Sequence, residues 1–515
     1  MNMKSQYLLG MGLGSLFAAN AFAQQQKPPH VILIMTDQQR FDAMGCAGNP
    51  SCLTPNLDRL AQDGNLFSYG YSSTPSSTPA RAGLVTGMSP WKHGMLGYGN
   101  EAAQYPCEFP REMKKLGYKA IGIGKMHWYP QINTRGLDVL LSDESGRKMT
   151  PDYMSDYRKW FNLHACGLNP DSTGIGWNAH GASLYKLPEE LHPTTWTGET
   201  AVQMIQNYQS DQPMFLKVSF ARPHSPYDPP QRFYDMYENA PEPPAPAIGE
   251  WVPQDWRDRT DPKKDKDAAI GNFGDEYAKN SRRHYYASVT HVDDQIGNII
   301  AELKRKGMYD NALIFFVSDH GDMMGDHCMW RKTYAYEGSA RVPFIVKLPK
   351  GTKNCYEPGE VITDKVVELR DVLPTAIDIA NGTQPEVMDG KSLLPIFESK
   401  DNHWRQYLDL EHSTCYYANS SWCALTDGSM KYIYFYNTGE EQFFDLKKDP
   451  MEIKNLTQAK KYQKKLEAFR NAMVEHLSVR GEEWVKDGKL QVIKHRTLYG
   501  ENFPYDGDPY KRPWI

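Results

Sequence analysis

Three things are scarce in this chain, and each scarcity excludes something. Positive charge is the first: 58 Lys and Arg stand against 63 Asp and Glu, a net charge of −5 over 515 residues. With no basic stripe and no polybasic tail, nucleic acid and anionic membranes are poor partners, and an acidic substrate has to be captured by a local cluster of cations. Cysteine is the second. The eight present are scattered, with no CxxC pair and no zinc-ligand spacing. Cys46 with Cys52 and Cys415 with Cys423 are the nearest pairs for a disulfide, and buried free thiols are the equal alternative. The third is a long apolar run. The stretch from Tyr7 to Ala19 is broken by Gly and too short for a membrane span.

That stretch follows Met1-Asn2-Met3-Lys4 and closes with Ala21-Phe22-Ala23-Gln24. A basic start, a short apolar centre and an A-x-A site read as a cleavable secretory signal over residues 1–23. The expected protein is therefore exported, periplasmic or secreted. No Cys follows the apolar centre directly, so a lipid anchor is not expected. The remainder suffices for one large α/β domain over 24–400, a smaller unit over 401–485, and a tail over 486–515 that wraps over the main domain.

What the chain does have is a series of short, wholly apolar segments. Val31–Met35 and Ala312–Ser318 read as strands buried on both faces of a parallel sheet. Tyr118–Gly122, Pro213–Phe220 and Val342–Leu348 read as further strands. Helices are expected from Thr54 to Leu60, Pro110 to Leu116, Glu199 to Tyr208 and Leu369 to Ile379, with the longest from Ala278 to Lys306. Tyr129 to Pro193 is irregular and aromatic-rich, an insertion suited to shaping a pocket. Pro241 to Lys266 should be an exposed excursion. Past residue 400 the pattern changes. Lys431–Tyr436 and Glu441–Leu446 alternate around Asn437-Thr438-Gly439 as a hairpin does, and a basic amphipathic helix runs from Thr457 to Leu477. The order predicts a doubly wound, mostly parallel α/β sheet with a smaller C-terminal α+β subdomain.

In such sheets ligands gather beyond the carboxyl ends of the strands. Four of those ends carry charged or metal-capable residues: Asp37, Lys125 with His127, His224, and Asp319 with His320, with Lys332 a little further on. Singly, each is a turn residue, an N-cap or a solvated charge. Together, on one edge of one sheet, they make a site. A further stretch supplies a hydroxyl. After the turn-rich Ser72-Ser73-Thr74-Pro75-Ser76, the residues from Ala80 suit a short helix that Gly87 ends. Ser77 then lies at or just before a helix N-terminus, where unpaired N–H groups and the helix dipole favour an anion, with Arg81 one turn on. On spacing alone, Ser-x-Pro is equally a helix N-cap.

Ser77-Thr78-Pro79-Ala80-Arg81, followed by Thr86-Gly87 and by Pro90, His93 and Gly94, closely resembles the signature of type I sulfatases of the alkaline phosphatase superfamily. Asp389 to Leu393 and Phe444 to Leu456 extend the resemblance over nearly the whole chain. In that family the first signature residue is oxidised to formylglycine, and Ser77 holds its place. A Ser there implies an anaerobic radical-type maturating enzyme as partner. The resemblance also implies a Ca²⁺ or Mg²⁺ ion held by Asp37, Gln38, Asp319 and His320, with Ser77 completing the set. It implies Lys125, His127, His224 and Lys332 around the sulfate and Arg81 beside the aldehyde. The chemistry implied is attack on sulfur by the hydrated aldehyde. His224 with Lys332 would protonate the leaving alkoxide, and His127 would deprotonate the second hydroxyl so that sulfate departs.

The expected substrate is a sulfated saccharide, with Trp128, Tyr227, Trp330, Arg331, His412 and Tyr416 along the pocket. One departure matters. Many members have a second Asp where this chain has Gln38, a neutral and weaker ligand. Related enzymes acting on phosphonate esters and choline sulfate share Asp-Gln here and Asp-His later. A phosphonate monoester, phosphodiester or choline-sulfate hydrolase is therefore the enzyme alternative. An unmodified, non-catalytic glycan-binding protein is the alternative from another class.

Overall fold

The apolar runs form the centre of an eight-stranded sheet. The computed structural model describes residues 28–504 except 265, 401–402, 419 and 496–497, so the expected signal segment and the last tail residues lie outside the described residues. In chain order the strands are β1 (His30–Asp37), β2 (Asn65–Tyr71), β3 (Lys119–Gly124), β4 (Val139–Ser142), β5 (Met214–Pro223), β6 (Ala312–Ser318), β7 (Phe344–Lys347) and β8 (Val361–Glu368). Across the sheet they run β4-β3-β5-β1-β6-β7-β2-β8. Only β7 runs against its neighbours.

Successive side chains of a strand point to opposite faces, and here both faces are covered. Val31, Leu33 and Met35 of β1 join one core, which includes Leu84 and Val85. Those two belong to α1 (Ser77–Thr86). Ile32 and Ile34 join the other core, with Ala201 and Ile299. They pack under two helices, α2 (Pro193–Gln206) and α3 (Asp275–Arg305), the latter the 31-residue helix expected from its apolar spacing. The strand order has a direct consequence for function. β3, β5, β1 and β6 are consecutive neighbours, so the four chemically loaded strand ends lie side by side.

The C-terminal part forms a second sheet of four antiparallel strands, β9 (Leu408–His412), β10 (Trp422–Thr426), β11 (Met430–Phe435) and β12 (Glu440–Asp445). Helix α4 (Gln463–Ser478) packs on it through Leu466, Phe469, Met473 and Leu477. This unit reaches the main sheet's site: the Glu411 amide donates to Ser73 O at 2.8 Å, and Trp422 Nε1 donates to Thr333 O at 2.9 Å. The described end of the tail packs nearby, with Phe503 against Ala82, Met95 and Tyr105. Among the described residues no disulfide forms. Neither candidate pair is joined: Cys46 packs against one hydrophobic cluster and Cys52 lies in another, while Cys423 lies in the core of the C-terminal unit and Cys415 borders a cavity. Among the described residues, no helix is long and apolar enough to cross a membrane.

Just after α4, Arg480 makes a two-pronged pair with Glu411 of β9, at 2.7 and 2.8 Å, with both side chains almost fully buried. Removing one partner leaves the other charge uncompensated in a low-dielectric setting, at a cost of about 3–5 kcal/mol. Arg480→Ala should therefore lower the guanidinium unfolding midpoint by that equivalent. A loss under about 1 kcal/mol would show that Glu411 needs no partner.

Candidate active site

Helix α1 begins at Ser77 itself, three residues earlier than its composition suggests, and all ten of its residues are buried. Ser76 is extended (φ −156°, ψ 154°) and Gly87 closes the helix in the left-handed region (φ 67°), which glycine adopts without Cβ strain. Ser77 thus stands in the first turn of a buried helix, whose free N–H groups face the strand ends. Its Oγ lies 3.0 Å from His320 Nε2.

One turn on, the Arg81 guanidinium is fully buried and touches groups at the ends of β1, β3 and β6 and, level with the end of β3, within β5. It donates to Asp319 Oδ2 at 2.8 Å, Asp37 Oδ2 at 3.2 Å, Lys125 O at 2.6 Å and Ser219 Oγ at 3.1 Å. Arg81 therefore sits beneath the nucleophile position, occupied by carboxylates, and does not border the cavity described below. Lys125 Nζ contacts the same Asp37 oxygen. Burial alone would raise the Asp37 pKa, yet the charges of Lys125 and Arg81 hold it well below the ordinary carboxylate range.

Asp37, Asp319 and His320 form a compact ligand set, their donor atoms all within 4.8 Å of one another. Their unmet chemistry fits a hard divalent cation. Asp37 Oδ1 is buried without a hydrogen-bond partner. His320 Nδ1 must carry its proton, because it faces Gly321 O at 2.9 Å. That leaves the Nε2 lone pair directed at Asp37 Oδ1 and Asp319 Oδ1, 3.7 and 3.6 Å away. Burial lowers the His320 pKa, so the ring is a neutral ligand.

Gln38 has a different position from the one expected. Its Nε2 donates to Asp322 Oδ2 at 2.6 Å and its Oε1 accepts from Lys332 Nζ at 2.7 Å. The amide bridges a carboxylate and an ammonium, so its oxygen is engaged away from the ligand set. Lys332 Nζ also donates to His224 Nε2 at 2.8 Å, whose Nδ1 faces Ser225 O. Burial, then the Lys332 charge, keeps His224 neutral with its pKa well below the usual value. Burial brings Lys332 down to about 8. His127 is likewise neutral, through burial and the nearby charges of Arg147 and Lys125, and its buried Nδ1 has no partner.

Ser77, Lys125, His127, His224 and Lys332 border one cavity of about 160 Å³. Four further wall residues, Ser145, Arg147, Trp177 and Asn178, come from the irregular insertion, and Tyr98, Cys415 and Tyr416 complete it. The insertion's composition pointed to a pocket role, but no spacing singled out those four. Tyr98 gave no signal at all. Trp128 and His412 do not border the cavity. Trp128 is core, with Arg135 and Lys217 over its ring at 5.5 and 5.1 Å. His412 is buried behind the nucleophile position, 2.8 Å from Ser76 Oγ. Tyr227 and Trp330 are buried as well, donating to Asp322 and Gly271 O. Arg331 backs the wall, its guanidinium 5.0 Å from the Tyr416 ring.

A doubly covered sheet whose adjacent strand ends gather paired carboxylates, a lysine and a buried helix-start serine has the make-up of an α/β hydrolase. The Sulfatase family model matches residues 29–383, and the model of the N-sulphoglucosamine sulphohydrolase C-terminal region matches 325–478. An arylsulfatase of Clostridium perfringens is 36% identical over 482 residues, covering 90% of this chain and 97% of that one. An N-acetylglucosamine-6-O-sulfatase of Bacteroides thetaiotaomicron is 25% identical over 513 residues, covering 87% and 86%. The solved phosphonate monoester hydrolase of Agrobacterium radiobacter has the same fold, with TM-score 0.72, 24% identity and 88% and 96% coverage. The chain belongs to the sulfatase family and is a sulfuric ester hydrolase.

A cation seated among Asp37, Asp319 and His320 binds only the folded state and must stabilise it. At about 100 Kd of Ca²⁺ or Mg²⁺ the gain should be near ~2.7 kcal/mol, read as a rise in melting temperature. His320→Ala, which removes a neutral ligand without unpairing a charge, should abolish most of that rise. An equal rise in the variant would move the ion elsewhere.

Proposed function

We propose that this enzyme removes sulfate from a sulfated carbohydrate, with formylglycine made from Ser77 as nucleophile and Ca²⁺ or Mg²⁺ held by Asp37, Asp319 and His320. The observation that carries the reading is convergence. A buried helix-start hydroxyl and two lysines border one small cavity whose charged wall groups are all cationic, and a carboxylate–histidine ligand set lies directly behind that hydroxyl.

The ion would supply Lewis acidity and charge neutralisation beside residue 77. The formylglycine hydrate would supply two hydroxyls on one carbon, so that one attacks sulfur and the other later allows the sulfate to leave. The protein's own groups do the rest. Lys125 and Lys332 neutralise the sulfate oxygens, which otherwise repel any nucleophile. Lys332 holds the proton that a departing alkoxide needs, and His224, accepting from it, fixes the ammonium's direction. His127, neutral and with a free ring nitrogen, is the base for a hydroxyl proton. Tyr98, Trp177 and Tyr416 give the wall faces on which a sugar ring stacks. The relatedness to an N-acetylglucosamine-6-O-sulfatase supports a carbohydrate substrate. Export to the periplasm or medium, and maturation of Ser77 by a radical-type enzyme working without oxygen, complete the reading.

The Asp37-Gln38 and Asp319-His320 pairs favour one second reading, hydrolysis of phosphonate monoesters or phosphodiesters at the same site. Side-by-side rates on aryl sulfate, aryl phosphonate and aryl phosphodiester decide between them. The Ser77 peptide from active enzyme should be lighter by two hydrogens than its encoded mass. Full activity with an intact serine would overturn the nucleophile assignment. With a sugar sulfate, kcat/KM should fall as pH rises through about 8, because Lys332 loses its proton there. Lys332→Ala should lose about 10²–10⁴-fold and with it that alkaline limb. A profile flat to pH 10 would remove Lys332 as the acid.

A further inference from the structure

The cavity at Ser77 holds about 160 Å³, below the ~300–1,000 Å³ usual for small-ligand sites. It takes the sulfate ester and the ring that bears it, and leaves no room for a longer chain. A second cavity, of about 690 Å³, adjoins it: Tyr416 borders both. The second cavity is lined by Asp258, Arg259, Asp261, Phe273 and Tyr417 among others, none of which the hydrolytic site uses.

Two features make this cavity a built site. Its aromatic faces are pre-set by packing: Tyr417 stacks on Tyr334 (6.2 Å, 23°) and meets Trp256 edge-on (5.2 Å, 77°). Phe273 stacks on His180 and Trp330 (4.6 and 5.6 Å). Its floor is also tied to the segment that carries Lys332. Gly271 N donates to Cys328 O at 2.8 Å, Trp330 N to Ala269 O at 2.9 Å, and Trp330 Nε1 to Gly271 O at 3.0 Å. The two cavities therefore keep a fixed relation. The exposed rim carries both signs of charge in balance, Asp258 and Asp261 beside Arg259 and Lys264. Such a rim offers hydrogen bonds to hydroxyls and, with its charges balanced, gives a second sulfate or carboxylate no net attraction.

Resting on the sulfated-carbohydrate reading, we infer that this second cavity is an outer sugar subsite. It takes one uncharged sugar ring, linked to the sulfated ring at Ser77 and stacked on the Tyr417 and Phe273 faces. The enzyme then prefers a disaccharide or longer chain to a monosaccharide, with the unit beyond Tyr416 unsulfated.

The test uses the full-length, matured enzyme and three substrates: an aryl sulfate, N-acetylglucosamine or galactose sulfate (whichever is cleaved faster), and that same sulfated ring extended by one unsulfated galactose. The disaccharide should exceed the monosaccharide in kcat/KM by about tenfold. That ratio should collapse toward one in Tyr417→Ala. It should also fall in Arg259→Ala, a surface change that leaves folding intact. Replacing the outer galactose by an acidic sugar should bring no further gain. A wild-type ratio near one, or a ratio unmoved by both variants, overturns the subsite while the carbohydrate reading stands. Cleavage of the aryl sulfate with no sulfated sugar turned over overturns both. No sulfate released from any of the three would place the failure in the hydrolytic site itself.

Discussion

The structure depends on one guanidinium. Arg81 lies fully buried where β3, β1 and β6 end beside β5, and its fork meets a group at each of them. An arginine suits this place because its donors are fixed in a plane and its charge survives burial, whereas a lysine presents a single point. Burial disfavours its charge, and Asp319 and Asp37 more than restore it. The arrangement is mutually dependent. Without Arg81, two buried carboxylates would face each other, with Lys125 in contact with Asp37 alone. Without the carboxylates, α1 would carry an unpaired cation into the sheet. Such clusters contribute little net stability, since desolvation offsets attraction, but they admit one geometry. That geometry puts Ser77, one turn before Arg81, over the strand ends.

The fold's topology explains why residues nearly three hundred positions apart can share a site. A parallel sheet returns the chain to the same edge after every crossover, so each strand delivers its next residue to one rim. β1 is central, flanked by β5 and β6, which makes Asp37 the residue all the others surround. The smaller sheet then closes the rim from outside. β9 ends in His412 against Ser76, and β10 fastens Thr333 through Trp422. Ser76 and Thr333, the chain neighbours of Ser77 and Lys332, are thus both held by residues of the C-terminal unit.

This division also accounts for what could be read from the sequence. Strands covered on both faces, such as β1 and β6, announce themselves as unbroken apolar runs, and the residues just past them are legible as a site. Strands half covered do not. β8 begins with an exposed, partly polar stretch and edge strand β4 is only part-buried, so neither leaves a clear pattern. The antiparallel turn of β7 is invisible for the same reason, since an apolar run carries no direction. Trp128 and His412 carry rings of the kind that stack on sugars, which suggests a place in the pocket. Strand and loop geometry sent one into the core and the other behind Ser76. Conversely, Arg147 and Trp177 reach the cavity from an insertion without periodicity, where only tertiary packing decides which side chains face inward.

Gln38 shows how a neutral residue can serve a charged site. A carboxylate held against Lys332 in place of the Gln38 amide would pair with the ammonium, leaving less positive charge for an anionic ester. The amide holds Lys332 by the same oxygen without cancelling its charge, and anchors itself on Asp322 through its nitrogen. Asp322 is engaged in turn by the Tyr227 hydroxyl and by the amides of Met324 and Arg331, so its charge is spread over four donors and kept one residue away from the ammonium. Lys332 then has a neutral amide on one side and a neutral imidazole on the other, in a buried setting that brings its pKa to about 8. A lysine so placed remains a cation at neutral pH yet gives up its proton far more readily than one in water. In the proposed mechanism, attraction for the ester and proton delivery to its leaving oxygen share one side chain because the residue that positions it carries no charge.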